Sequence, residues 1–278
     1  MRPPRRPAER RRGTRSTSRG RKRGGRGLTI PWPYHEHRPP HLQLGAGTVS
    51  FERGGYRFLV EPTRRGHLYA PTPDDVLRVL GACPAEATSG VIALVFRQPT
   101  RKQEILAPVW GRIYYQAAVG SGGKALMGPV IILEAQPSPQ GQVRRWSRSL
   151  SLESQARLEE LREDGHRIEA GRRHWLIRSD LEALRRTQLY RTLPHELGHL
   201  VHRRRALLDE SDPEIPRELR ERRFFARAPR EHERFADGYA AEVLAEARQR
   251  GRLPFPRIER FTLLASLGVQ RSWFAAKP

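Results

Sequence analysis

The segment His195-Glu196-Leu197-Gly198-His199 constrains this chain more than any other. On a helix, residues four apart share a face, so both imidazoles aim at one point. That geometry suits two nitrogen ligands of a single Zn²⁺. Glu196, one step round the helix, then reaches a water on the metal and takes its proton. In a chain with ten histidines among 278 residues, chance supplies this five-residue pattern only about 0.03 times. Apolar residues flank it on both sides, which predicts a packed helix rather than a free one.

A catalytic zinc needs a third protein ligand and an open fourth position. The candidate is Glu233, on a helix predicted from Pro229 to just before Gly251. That helix carries an apolar stripe of Phe235, Ala236, Tyr239, Ala240, Val243, Leu244 and Ala247. A carboxylate beside such a stripe is costly unless it is paired or bound to a cation. The competing reading pairs Glu233 with one of the many arginines. Asp237, one turn further, is placed to accept the N–H of a ligand histidine and set its tautomer. The competing reading makes it an ordinary surface acid. His202 lies a turn beyond the histidine pair, where it caps the helix end. His232 is a ligand only in a different register, and Glu231 points nearly opposite. Tyr239 and His232 are candidate oxyanion stabilisers, although the place of Tyr239 in the stripe favours core packing. The Pro-flanked His35, His37 and His41 read as a solvated loop. The lone Cys83 rules out an internal disulfide and reads as a small buried residue.

His195-Glu196-Leu197-Gly198-His199 followed by the Glu233-x-x-Ala236-Asp237 helix resembles the gluzincin metallopeptidases, especially the small single-domain and ImmA/IrrE-like group. The likeness is specific over about residues 192–245, architectural over 91–136, and absent before about residue 85. It implies one Zn²⁺ per chain held by His195, His199 and Glu233, with Glu196 as general base and Asp237 supporting a histidine. It implies hydrolysis of a peptide or protein substrate. It also implies a sheet ahead of the active-site helix, with an edge strand that pairs with substrate backbone. GPVIILEAQ (128–136) stands in the right order for that strand. One departure bears on the likeness. The separation of His199 and Glu233 is longer than in compact members, and the charged insert reads as a lid or partner surface. A histidine third ligand would point instead to SprT-like proteases, and no H-x-x-G-x-x-H follows, which excludes the metzincin arrangement.

The rest of the chain reads as strands first, helices later, an α+β order. TVSFER and YRFLVEP alternate around Gly54-Gly55, a hairpin signal. Thr72-Pro73 opens a short helix closed by Gly81. VIALVF (91–96) is a buried strand, residues 105–119 are two strands or one broken strand, and 137–150 are a linker. SLESQARLEELREDG is a helix ending at Gly165. Ser179 to Glu182 forms a capping box that opens a longer helix, interrupted by Pro194, where it kinks or restarts with Thr192 as N-cap. The expected organisation is a basic disordered tail over 1–30, a lead-in with the hairpin over 31–85, and a mixed-sheet zincin-like domain over 86–278.

Charge adds a second theme. Lys+Arg is 52 against 30 Asp+Glu, a net +22. Residues 1–27 hold twelve basic residues and one acid, too polar to bury a core. They read either as a sequence-independent nucleic-acid arm or as a solvated tail in an arginine-rich composition. No apolar run is long enough for a membrane span and no secretory signal is visible, so the expected location is cytoplasmic. Two functional alternatives stand beside the peptidase: a non-catalytic regulatory protein on the same fold, and a nucleic-acid-associated protein in which the tail is the working element.

Overall fold

The computed structural model describes residues 42–106, 109–120, 125–139, 143–208 and 214–275. The basic tail, His35, His37, His41, Pro108 and part of the insert lie outside the described residues. In chain order the first elements are β1 (Val49–Arg53), β2 (Tyr56–Val60), β3 (His67–Leu68), α1 (Pro73–Leu80), α2 (Ala85–Thr88), β4 (Ala93–Arg97) and α3 (Arg101–Leu106). Next come β5 (Gly111–Val119), β6 (Leu126–Glu134), β7 (Gln136–Pro137), β8 (Val143–Ser147), α4 (Leu152–Glu163), β9 (Arg167–Ala170) and β10 (His174–Arg178). Then follow α5 (Leu181–Arg186), a π-helical turn (Thr187–Thr192), α6 (Leu193–Leu207), α7 (Arg217–Ala226), α8 (Pro229–Gln249) and α9 (Phe261–Ser266). This is an α+β architecture.

The central sheet has the order β1-β2-β4-β6-β5. β2, β4 and β6 run parallel, and β1 and β5 are antiparallel edges. The hairpin expected within the lead-in thus supplies two of its five strands. Both sheet faces are covered, which explains why the inner strands are continuously apolar. Phe58, Leu94, Phe96, Ile131 and Leu133 face the main core with Leu197, Leu200 and Val201 of α6 and Val243 of α8. Leu59, Val95, Val130 and Ile132 face the other side, where Leu42 and Leu44 pack on them.

Several elements differ from the sequence reading. Residues 105–119 hold the end of a helix and then one strand, with an irregularity between Tyr114 and Ala117. The segment read as a linker contains β8, which pairs with β10 in a second sheet of order β8-β10-β9. Its pairing partner is about thirty residues downstream, so local pattern could not show it. GPVIILEAQ does form a strand, β6, but it is interior, flanked by β4 and β5, and the edge beside it is β5. The N-cap of α5 is Asp180, whose Oδ1 accepts the Ala183 N–H at 2.7 Å. The insert is docked rather than free-standing in its second half. Phe224 of α7 is fully buried against His202, His232 and Tyr115.

Two buried polar knots fix the helices. Asp75 and Arg185 are both fully buried and pair through Nε–Oδ2 at 3.0 Å and Nη2–Oδ1 at 3.1 Å. Asp75 also accepts the backbone N–H of Thr72 and of Ile258, so one carboxylate joins α1, α5 and the segment before α9. Removing one partner strands the other charge. Arg185→Ala is expected to lower unfolding free energy by about 3–5 kcal/mol, measured by chemical denaturation.

The second knot locks the π turn. The Thr187 hydroxyl donates to Asp164 Oδ2 at 2.8 Å, and the His166 ring contacts Thr187 Oγ1 at 2.8 Å and Ser179 Oγ at 2.7 Å. With the Thr187 proton already committed, the neutral Nε2–H tautomer of His166 fits both contacts. Burial, reinforced by the Arg144 charge, lowers the His166 pKa to about 4. The unfolded chain therefore takes up this proton first as pH falls. The stabilisation is complete above about pH 6.5 and is lost between there and about pH 4, amounting to about 3 kcal/mol. A His166→Gln variant should show a correspondingly smaller fall in stability across that window, read from denaturation curves at stepped pH.

Candidate metal centre

The π turn also shapes the start of α6. Pro194 has no N–H to donate, and the helix absorbs this by widening over Thr187–Thr192 rather than by breaking. Thr192 is helical, at φ −63° and ψ −53°, and caps nothing. Its hydroxyl donates instead to the Thr187 carbonyl at 3.1 Å. Gln188 Nε2 donates to the carbonyls of Trp110 and Glu134, tying the turn to the start of β5 and the end of β6. Gly111 lets β5 approach closely: a Cβ there would stand 2.6 Å from Ile132 O and 2.7 Å from Thr192 Cγ2.

Helix α8 crosses α6 at Gly198. A Cβ on Gly198 would lie 2.9 Å from both the Cα and the carbonyl oxygen of Ala236. Only glycine permits that approach, and it brings the ligand candidates of the two helices together. His195 Nε2 and His199 Nε2 are 3.0 Å apart. The Glu233 carboxylate lies 3.4 Å from His195 Nε2 and 3.6 Å from His199 Nε2. One ligand atom from each of the three falls within 4.8 Å of the others. Among the described residues this is the one group of three or more with that geometry.

The arrangement fits a cation on chemical grounds. Two imidazole nitrogens facing each other share one proton at most, and a carboxylate adds further lone pairs at the same point. Two nitrogens and an oxygen around one small space are donors of the kind a divalent metal ion takes. Asp237 Oδ1 meets His195 Nδ1 at 2.9 Å, which fixes Nε2 of His195 as the inward nitrogen. Arg157 of α4 holds Asp237 in turn, with Nη2 at 3.1 and 3.4 Å from its two oxygens.

The charges follow this geometry. Burial opposes a charge on His195, but bonds to Asp237 and Glu233 outweigh it and raise its pKa to about 10. Burial, then the His195 charge, push His199 well below the usual histidine range. Burial works to raise Asp237, but the His195 bond and the Arg157 charge hold it down at about 2. Glu196 is wholly buried, and neither carboxylate oxygen has a partner in hydrogen-bond geometry. Burial raises its pKa to about 7, against the pull of His195 and the nearby Ile113 N–H.

A cavity of about 190 Å³ opens beside the cluster. Trp110 and Gly111 wall it at the start of β5, Arg157 and Leu161 on α4, and Ala240 and Leu244 on α8, with His195 and Glu196 at its base. The two oxyanion candidates do not line it. Tyr239 belongs to the main core, and its hydroxyl feels Cys83 and Glu86. His232 packs beside His202 and Phe224. His202 itself stacks on Phe235 at 4.3 Å. Arg157, Gln188 and Gly111 were missed by sequence reasoning. Their partners are remote in the chain, so no local signal could have marked them.

Compared with known proteins, the chain matches no family model, no curated protein and no solved structure. Asp237→Ala is expected to lower zinc affinity about 10- to 100-fold with the fold intact, measured by competition with a fluorescent chelator.

Proposed function

We propose that this protein is a zinc-dependent metallopeptidase that hydrolyses peptide bonds in a peptide or protein substrate. The observation that carries this reading is the convergence of His195, His199 and Glu233 beside the buried, unpartnered carboxylate of Glu196. The likeness of His195-Glu196-Leu197-Gly198-His199 and the Glu233/Asp237 helix to the gluzincins supports it. A zinc ion held by the three ligands would supply a Lewis acid that polarises a carbonyl and acidifies water.

The chain's own groups divide the remaining work. Glu196, destabilised as an anion by burial, takes a proton from the attacking water and passes it to the leaving amine. Glu233 keeps a third of its side chain exposed, so the cluster is open on that side. Asp237 holds the proton on His195 Nδ1. The edge of β5 not paired with β6 turns the Ile113 N–H toward Glu196. A substrate laid along it would be aligned by backbone hydrogen bonds.

Metal content and turnover test this reading together. The wild type should carry about one zinc per chain by mass spectrometry, and both His195→Ala and Glu233→Ala should lose it. Glu196→Gln should keep the metal and cut peptides about 10²- to 10⁴-fold more slowly, scored by mass spectrometry on a mixed peptide library. A wild type without zinc after gentle purification would overturn the reading. A zinc-loaded wild type no faster than Glu196→Gln would favour a regulatory protein on this fold.

A further inference from the structure

Several arginines elsewhere in the chain are matched. Arg53 pairs with Asp74, Arg185 with Asp75, Arg191 with Asp164, and Arg257 with Glu259. The second sheet departs from this. Its inner face carries Trp146, Trp175, Ile168 and Ile177, packed with Leu158 and Leu161 of α4. Its outer face and tip carry five exposed arginines: Arg145, Arg167, Arg172, Arg173 and Arg178. Residues 143–150 and 167–178 contain one acid, Glu169, at 3.8 Å from Arg178.

The register concentrates the charge. Arg178 stands directly opposite Arg167, and Arg145 lies on the same outer face, across from Leu176. Like charges directly opposed across a ladder destabilise it. At the tip, Gly171 N–H donates to His174 O at 2.9 Å, forming the turn that presents Arg172 and Arg173. Arg148, by contrast, turns to the inner side, where its guanidinium lies over the Trp175 ring at 4.3 Å.

We propose that the outer face of the β8-β10-β9 sheet binds the phosphate backbone of duplex nucleic acid. Charge complementarity selects this partner. From Arg173 to Arg178 the face runs about 17 Å along the strand. A duplex presents one negative charge per about 1.7 Å of axis, roughly ten over that length, a density that a protein surface of mixed charge does not offer. Guanidinium groups bind phosphate oxygens through paired N–H donors. A protein partner would need an apolar centre to its interface, and none of the exposed large apolar side chains among the described residues lies on these three strands. The proposal is independent of the zinc reading. It also differs from binding through residues 1–27, since it assigns the binding to a folded surface.

Fluorescence anisotropy with short mixed-sequence DNA and RNA duplexes, on the full chain across a salt series, tests it. Each arginine that no longer meets a phosphate should flatten the log–log salt dependence by about 0.9. The triple variant Arg145→Ala, Arg167→Ala, Arg178→Ala should therefore flatten the slope by about 2–3 on at least one duplex. A control triple, Arg217→Ala, Arg222→Ala, Arg248→Ala, removes equal charge from exposed positions on α7 and α8 and should change it by less than about 1. The tail is the same in all three proteins and cancels in the comparison. Should the first triple variant fail to fold, Arg172→Ala with Arg173→Ala alters only the exposed tip and should flatten the slope by about 2. Equal flattening in the control, or unchanged slopes in the sheet variants, overturns the proposal. So does arginine-dependent binding to phosphatidylserine vesicles or to polyglutamate with no binding to either duplex.

Discussion

The backbones of α6 and α8 meet at Gly198 and Ala236, and the cluster of His195, His199 and Glu233 forms because they can. His195 and His199 stand three before and one after Gly198. Glu233 and Asp237 stand three before and one after Ala236. The closest point of the crossing therefore lies between two matched pairs of polar side chains, each pair one turn apart on its helix. A methyl group at residue 198 would meet the Ala236 backbone at 2.9 Å, where no side-chain rotation can relieve it. Neither residue type is a metal ligand, yet the distance they allow decides whether a ligand on one helix reaches those on the other.

Everything else holds that crossing in register. The π turn carries Pro194 into α6 without a break and is itself tied to β5, β6 and the Asp164–His166 knot. The Asp75–Arg185 pair fixes the preceding helix to α1. Arg157 joins α4 to α8 through Asp237. Burial makes the Asp75–Arg185 pair and the knot at Thr187 consequential, because a group out of contact with water has no alternative partner. The same burial holds the Glu196 carboxylate outside hydrogen-bond geometry, with the Ile113 N–H nearby, a cost consistent with chemistry rather than with stability.

Much of this was legible in the residues alone. The hairpin at Gly54-Gly55, the Thr72-capped helix, the buried strands and the long helix from Pro229 all follow from short-range rules of turn, cap and periodicity. The histidine pair with Glu196 and the later Glu233 and Asp237 were also visible, since helical spacing puts side chains on known faces. The second sheet was not. Its strands are short, Arg-rich and only half covered, and Trp146 finds Trp175 across a helix and a hairpin. The edge strand was misplaced for a related reason: β6 is the more apolar segment because it is interior, whereas the edge position falls to β5.

The sequence by itself determined what the centre is made of, because the period of a helix converts spacing into direction without reference to the rest of the chain. It also determined the excess of positive charge. Only the tertiary structure decided that the two helices touch at Gly198, that Arg157 backs Asp237, and that exposed arginines gather around one small sheet. Those outcomes depend on contacts between residues far apart in the chain. Such contacts are selected by how whole faces pack, and no local pattern records them.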